Sequence, residues 1–245
     1  MLRPPAHPLA SGTLAMTDAM QRQEEAVGEN YDAAMLLEAR TRTWRAIRDT
    51  AAGITPGMAE DDATALLQKV LEAGSLKRGW HGAYIRFGDN TLKNYGEPSE
   101  PGTVLRKDDI FFIDIGPVWE KWEGDGGDTF VVGDDPVMHA AARDVKVLFD
   151  KVHARWRGEA LTGTALYAYA AAEAEAMGWV LNLDMAGHRL SDFPHKTIHK
   201  GALAQAPYAP TTGLWVLEIQ IRHPTRPISA FYEDLLLADA LPAAG

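Results

Sequence analysis

The amino-acid sequence predicts an α+β fold of two related halves whose strands meet in the middle of the molecule. Two observations predict it: the order helix, helix, strands runs twice along the chain, and the strand-like runs of both halves carry acids inside apolar patterns. No residue-level repeat links the halves, so the duplication is one of organisation and not a short-period solenoid.

The elements follow in order. From Tyr31, YDAAMLLEARTRTWRAIRDTAAG carries Met35, Leu36, Ala39, Trp44 and Ile47 at near-helical spacing and stops at Gly53, which predicts a first helix. DDATALLQKVLEAG opens on acids, repeats its Leu and Val on one face and ends at Gly74, a second helix. GAYIRF is a short strand candidate among turn signals, and DIFFIDIG and DTFVVG are two strands joined by a polar, Gly-rich turn. PVMHAAARDVKVLFDKVHARWR and GTALYAYAAAEAEAMG repeat the helix pair, and GLWVLEIQIRHP and SAFYEDLLLA repeat the strands. Residues 1–28 have the Pro, Ser and polar mix of a loose arm, which leaves 29–245 as a single domain.

Composition narrows the function. With 34 acidic against 24 basic residues and a net charge of −10, the chain lacks the positive surface that tracks phosphates, so nucleic acid is not an expected partner. There is no cysteine, so any metal must be held by His and carboxylate ligands. The N-terminus has Pro and His where an export signal needs an unbroken apolar run, and the Ala-rich stretch 161–178 is interrupted by Glu173 and Glu175, so no membrane span is expected. A cytoplasmic enzyme is the default class.

The chemistry-bearing residues are acids in apolar strands. Alternation in FFIDIG puts Phe112, Asp114 and Gly116 on one face. A carboxylate there is costly unless it is paired, hydrogen-bonded or bound to a cation. A single strand Asp more often caps the following turn, and either Asp125 or Asp128 could come opposite Asp114 across a hairpin. The second half adds Glu218 in LWVLEIQI and Glu233 in FYEDLLL. Four converging carboxylates repel unless cations neutralise them, and a pair of divalent ions does so. Of eight histidines, His188 follows a glycine in AGHRLSDFPH, between the two acid-bearing regions, and is the better ligand candidate.

The order Asp114, Asp125, His188, Glu218, Glu233 resembles the pita-bread metallopeptidases, the family of methionine aminopeptidase, aminopeptidase P, prolidase and creatinase. Asp114 and Asp125 stand eleven residues apart, as the family's two Asp ligands do, which favours Asp125 over Asp128. His188 precedes His195 by seven, the family's interval between its His ligand and a catalytic His. Glu218 and Glu233 match the two late Glu ligands, and the resemblance covers roughly residues 30–240. It implies the pita-bread fold, with a central antiparallel sheet and flanking helices. It also implies two divalent ions, Mn, Co or Fe with Zn as a further candidate, bridged by water or hydroxide. Glu218 would double as ligand and general base, and His195 would stabilise the tetrahedral intermediate or orient the substrate.

The pocket residues depart from the family. Tyr95 stands in KNYGEP where a substrate-binding His is usual, and His81 is its candidate stand-in. HRLSDFPH places Arg189 and Asp192 near the cavity, where Arg189 either binds a substrate carboxylate or pairs with Asp192 at the surface. Lys196 follows the second His, Ile219 and Gln220 follow Glu218 where Pro is common, and Asp128 stands where many members have Arg. The expected function is thus an aminopeptidase-type hydrolase that removes an N-terminal residue or cleaves a dipeptide or Xaa-Pro bond. The alternative is a creatinase-like enzyme acting on a small molecule. A metal-free binding module is the third reading, and members of that kind lose ligands that all stand here. The expected partners are a peptide or small-molecule substrate and, at most, a second copy of the chain as a homodimer.

Overall fold

A seven-stranded antiparallel sheet runs through the centre of the computed structural model, which describes residues 8–29, 31–79, 81–190 and 201–238. The first half contributes β1 (Ala83–Phe87), β2 (Asp109–Ile115) and β5 (Gly126–Val132); a side hairpin of β3 (Val118–Trp119) and β4 (Trp122–Glu123) lies between β2 and β5 in sequence. The second half contributes β6 (Val180–Leu181), β7 (His188–Arg189), β8 (Trp215–Arg222) and β9 (Ser229–Leu235). The order across the sheet is β1-β2-β5-β9-β8-β6, with β7 also on β8, so the halves meet where β5 lies beside β9.

Helices cover the sheet, and each half has its own core. The first core joins α2 (Ala33–Gly53) and α3 (Glu60–Ala73) to β1 and β2, through Trp44, Ile47, Leu67, Phe87 and Ile113. The second joins α4 (Pro136–Glu159) and α5 (Gly163–Ala176) to β8 and β9, through Leu148, Val152, Leu166, Trp215 and Leu217. Helix starts are capped as the sequence suggests: Asp32 accepts from Ala34 and Met35, and Asp135 accepts from Val137 and Met138 with Pro136 in the first turn. Arg40 on α2 makes a two-pronged ion pair with Asp234 on β9, and Trp44 Nε1 donates to Asp234 Oδ1 at 3.2 Å, so a first-half helix is fastened to a second-half strand.

One expectation needs correcting. The segment read as a loose arm contains a helix, α1 (Pro8–Glu24). Its end is tied down: Gln21 donates to the Ala209 carbonyl, while Glu25 accepts from Thr211 and from Trp215 Nε1. Composition pointed the other way because the helix has little apolar periodicity, and its anchoring bonds come from residues nearly two hundred positions away. Among the described residues no helix is long and apolar enough to cross a membrane.

Candidate metal centre

Register builds the site. Tyr84 pairs with Asp114, Asp114 with Gly127, Gly127 with Glu233, and Glu233 with Glu218, so one row crosses β1, β2, β5, β9 and β8. Residues directly opposite in an antiparallel sheet project from the same face. Three carboxylates therefore share that face, and the row stays open at Gly127, where a Cβ would lie 2.5 Å from the Phe231 ring and 3.2 Å from Glu233 Cγ.

The remaining members arrive from loops and from β7. Asp125, one residue before β5, is buried, and its Oδ2 lies 3.0 Å from His188 Nε2. Glu218 Oε1 is 3.5 Å from the same nitrogen. Gly187, with φ +70°, has no room for a side chain: a Cβ would meet the Val216 carbonyl at 2.6 Å and the Tyr167 hydroxyl at 2.8 Å. Its N–H donates to Glu218 Oε2 at 3.0 Å. Tyr167 on α5 fixes Glu218 from behind, donating to its carbonyl at 2.8 Å. Of the two acids the sequence left open, the structure brings in Asp125; Asp128 faces α4, where Lys146 Nζ lies 2.7 Å from its Oδ1.

The electrostatics of this cluster are those of an acid site that wants a cation. Burial, then the charges of Asp125 and Glu218, push the Asp114 carboxyl well above its ordinary range. Burial, then Asp125 and Asp114, does the same to Glu233, and burial raises Glu218. Burial alone would lower His188, but the hydrogen bond and charge of Asp125 raise it to about 10. His81 goes the other way, lowered to about 4 chiefly by burial.

These residues fit a divalent metal. Glu233 Oε1 is buried without a hydrogen-bond partner. The Nδ1 atom of His188 lies 3.3 Å from its neighbour's carbonyl at Arg189, which fixes the tautomer that leaves Nε2 as a donor to metal. Three sets, Asp114–Asp125–Glu233, His188–Glu218–Glu233 and His81–Asp125–His188, each have ligand atoms within 4.8 Å of one another. The cavity they face has a volume of about 420 Å³, with Tyr95, Asp184, Met185 and Ala202 on its walls.

The expected substrate contacts are placed differently from one another. Tyr95 is half exposed at the cavity; its hydroxyl accepts from the Gly82 N–H at 3.1 Å, and its ring packs edge-on against Tyr84. His81 lies within the cluster itself, 3.5 Å from Asp125 Oδ2. Arg189 lines the cavity and is buried, and its guanidinium donates to the carbonyls of Leu190, Leu214 and Ala26. A buried guanidinium needs acceptors, and backbone carbonyls after β7, before β8 and after α1 supply them. His195 and Asp192 lie outside the described residues.

Sequence reasoning missed Glu123. It is fully buried at the end of β4, with Oε1 3.4 Å from His81 Nδ1. The signal available was an acid two positions before Asp125 in an apolar WEGD context. It also missed the buried amides behind the site: Gln220 donates to the Thr91 carbonyl at 2.9 Å and accepts from Asn182, which also donates to Asn94 at 2.9 Å.

Comparison with known proteins agrees in fold. The model of metallopeptidase family M24 matches residues 34–213. No curated protein matches the chain. Among solved structures, the prolidase of Pyrococcus horikoshii OT3 is similar with a TM-score of 0.70 at 16% identity, over 91% of this chain and 63% of that one. The methionine aminopeptidase of Thermotoga maritima is similar with a TM-score of 0.68 at 16% identity, over 87% of this chain and 96% of that one. The X-Pro aminopeptidase of Thermotoga maritima MSB8 gives 0.67 at 18% identity, over 92% of this chain and 65% of that one. The chain thus spans less than two thirds of the length of the prolidase and the X-Pro aminopeptidase.

Proposed function

We infer function from the premise that this chain belongs to metallopeptidase family M24 and has the pita-bread fold. It is a hydrolase. The proposed reaction is removal of an N-terminal residue from a peptide, or cleavage of a dipeptide or Xaa-Pro bond, at a centre of two divalent ions held by Asp114, Asp125, His188, Glu218 and Glu233. One domain over 29–245 carries it, in the cytoplasm. The observation that carries this proposal is the row Asp114–Gly127–Glu233–Glu218, three acids on one sheet face with no ion pair to a lysine or arginine among the described residues.

Cations bound there would supply Lewis acidity for the scissile carbonyl and make water a nucleophile at neutral pH. The chain's own residues do the rest. Glu218 Oε2 is held by the Gly187 N–H, which leaves Oε1 to take the proton of the attacking water; a carboxyl raised by burial is a better base than a solvated one. His195 is the proposed donor to the tetrahedral oxygen. Tyr95 and Met185 close the mouth over a space of dipeptide size and limit the water around the reacting bond.

A small-molecule substrate is the second reading, and Tyr95 favours it: a phenol in place of an imidazole changes what the mouth can hydrogen-bond. The test is elemental analysis after Mn or Co loading, wild type beside Asp114→Asn, followed by digestion of a peptide library. About two ions per chain in the wild type and a loss in the variant are expected. No bound metal in either would sink the hydrolytic centre, and two ions with no cleaved peptide would move the small-molecule reading to the front.

A further inference from the structure

The five side chains above leave one imidazole of the cluster without a role. His81, just before β1, points its Nδ1 at two acids: Asp125 Oδ2 at 3.5 Å and Glu123 Oε1 at 3.4 Å. A ring nitrogen bonded to a carboxylate stands at about 2.7–2.9 Å. Two donors about 2.1 Å from one tetrahedral ion stand about 3.4 Å apart. The spacing around His81 is thus that of ligands around a shared centre. His188 approaches the same Asp125 oxygen at 3.0 Å, and the two imidazoles lie edge to face with ring centres 4.7 Å apart.

The backbone makes room for this imidazole. A Cβ at Gly116 would lie 2.7 Å from His81 Nδ1, and a Cβ at Gly79 would lie 2.4 Å from the Gly116 carbonyl and 3.2 Å from Glu123 Oε1. A side chain at Gly116 would therefore collide with the imidazole itself, and one at Gly79 would crowd the Gly116 backbone and Glu123 beside it. Glu123, wholly buried, adds negative charge beside the same Nδ1 and favours a cation there.

We propose that His81 is a further metal ligand, forming with Asp125 and His188 an imidazole-rich position that selects a borderline ion such as Zn²⁺ or Co²⁺, beside an all-oxygen position of Asp114, Asp125 and Glu233 that accepts Mn²⁺. The inference rests on the metal-centre reading above. Nitrogen donors suit zinc and cobalt, and carboxylates alone suit manganese and magnesium. The centre is then chemically lopsided, and the two positions differ in which metal fills them.

Chelator competition tests this on the full chain with Zn²⁺, Co²⁺ and Mn²⁺ separately, wild type beside His81→Ala. The expected result is a loss of about tenfold or more in the tighter Zn²⁺ and Co²⁺ affinity, with Mn²⁺ affinity changed less than about threefold. X-ray absorption at the zinc edge, on the unmutated chain carrying one equivalent of Zn²⁺, covers the case in which the variant misfolds: two imidazoles are expected. Wild-type zinc and cobalt affinity in the variant, an equal loss for all three metals, or a count of one imidazole each overturns the assignment. A wild type that binds no ion at all overturns the metal-centre reading itself, which separates the two failures.

Discussion

Glu218 and Glu233 stand directly opposite each other in the β8–β9 pairing, and Asp114 lies in the same row two strands beyond Glu233. Like charges directly opposite weaken a sheet. The row is therefore a place where the fold gives up stability that a bound cation returns.

The metal-free chain should be less stable at alkaline pH than at mildly acid pH. The carboxyls of Asp114 and Glu233 are raised in the fold, so each binds its proton more tightly folded than unfolded. That contribution is complete below the ordinary carboxylate range and is lost as pH rises through the raised values. His188, raised to about 10, acts in the same direction, with stability lost as pH climbs from its ordinary 6.5 through about 10. Glu233→Gln should accordingly stabilise EDTA-treated protein at pH 8 by on the order of 1 kcal/mol, read as a higher Tm. Thermal melts decide it, and an unchanged or lower Tm would count against the account.

Metal uptake should release protons. A carboxyl or an imidazolium must lose its proton to bind metal, and the fold makes Asp114, Glu233 and His188 hold theirs more tightly than in water. Affinity should rise with pH, and calorimetry in buffers of different ionisation heat should show on the order of one proton or more released per chain at pH 7. A binding heat independent of buffer would refute it.

Gly127→Ala should damage fold and centre together. Its Cβ would enter the Phe231 ring and crowd Glu233 Cγ, an overpacking cost of about 1–3 kcal/mol. Urea denaturation would measure the first effect and metal stoichiometry the second; a variant with wild-type values for both would show that the row tolerates a side chain.

Tyr167→Phe should cost about 1–2 kcal/mol, since the Glu218 carbonyl loses its buried hydroxyl donor. Because Glu218 is the proposed base, kcat should fall more than KM changes. Equal kcat with lower Tm would confine Tyr167 to a structural role.

Asp135→Ala should lower stability near neutral pH by about 1 kcal/mol through loss of the α4 cap. The Arg226 hydrogen bond holds the Asp135 carboxyl down at about 2, so its contribution is present above the ordinary carboxylate value of 3.8 and is lost as pH falls through about 2. Chemical denaturation from pH 7 to pH 2.5 should show the gap between wild type and variant shrinking at the acid end; a constant gap would contradict the assignment.

The parts of the site written in strand alternation were legible in the sequence. Asp114, Glu218 and Glu233 each break an apolar strand pattern, and the structure aligns all three in one row. What alternation cannot report is approach between distant segments. His81 sits against Gly116, where a Cβ would collide with its ring, and nothing local in WHGAYIRF announces Asp125 as its neighbour. Arg189 shows the same limit: two of its carbonyl partners, at Leu214 and Ala26, come from distant segments that its own sequence context does not report. The N-terminal helix was hidden because its anchors, Thr211 and Trp215, belong to the far end of the chain.

The seam between β5 and β9 has one paired position among the described residues, Gly127 with Glu233. In polymer terms it is the neck of a long loop: Asp114 and Asp125 stand on one lip, Glu218 and Glu233 on the other, with roughly a hundred residues of chain between them. An ion gripped from both lips would be a clasp across that neck. Removing it would then loosen the joint between the halves, and a chelator would act on this protein as a mechanical agent as well as a chemical one.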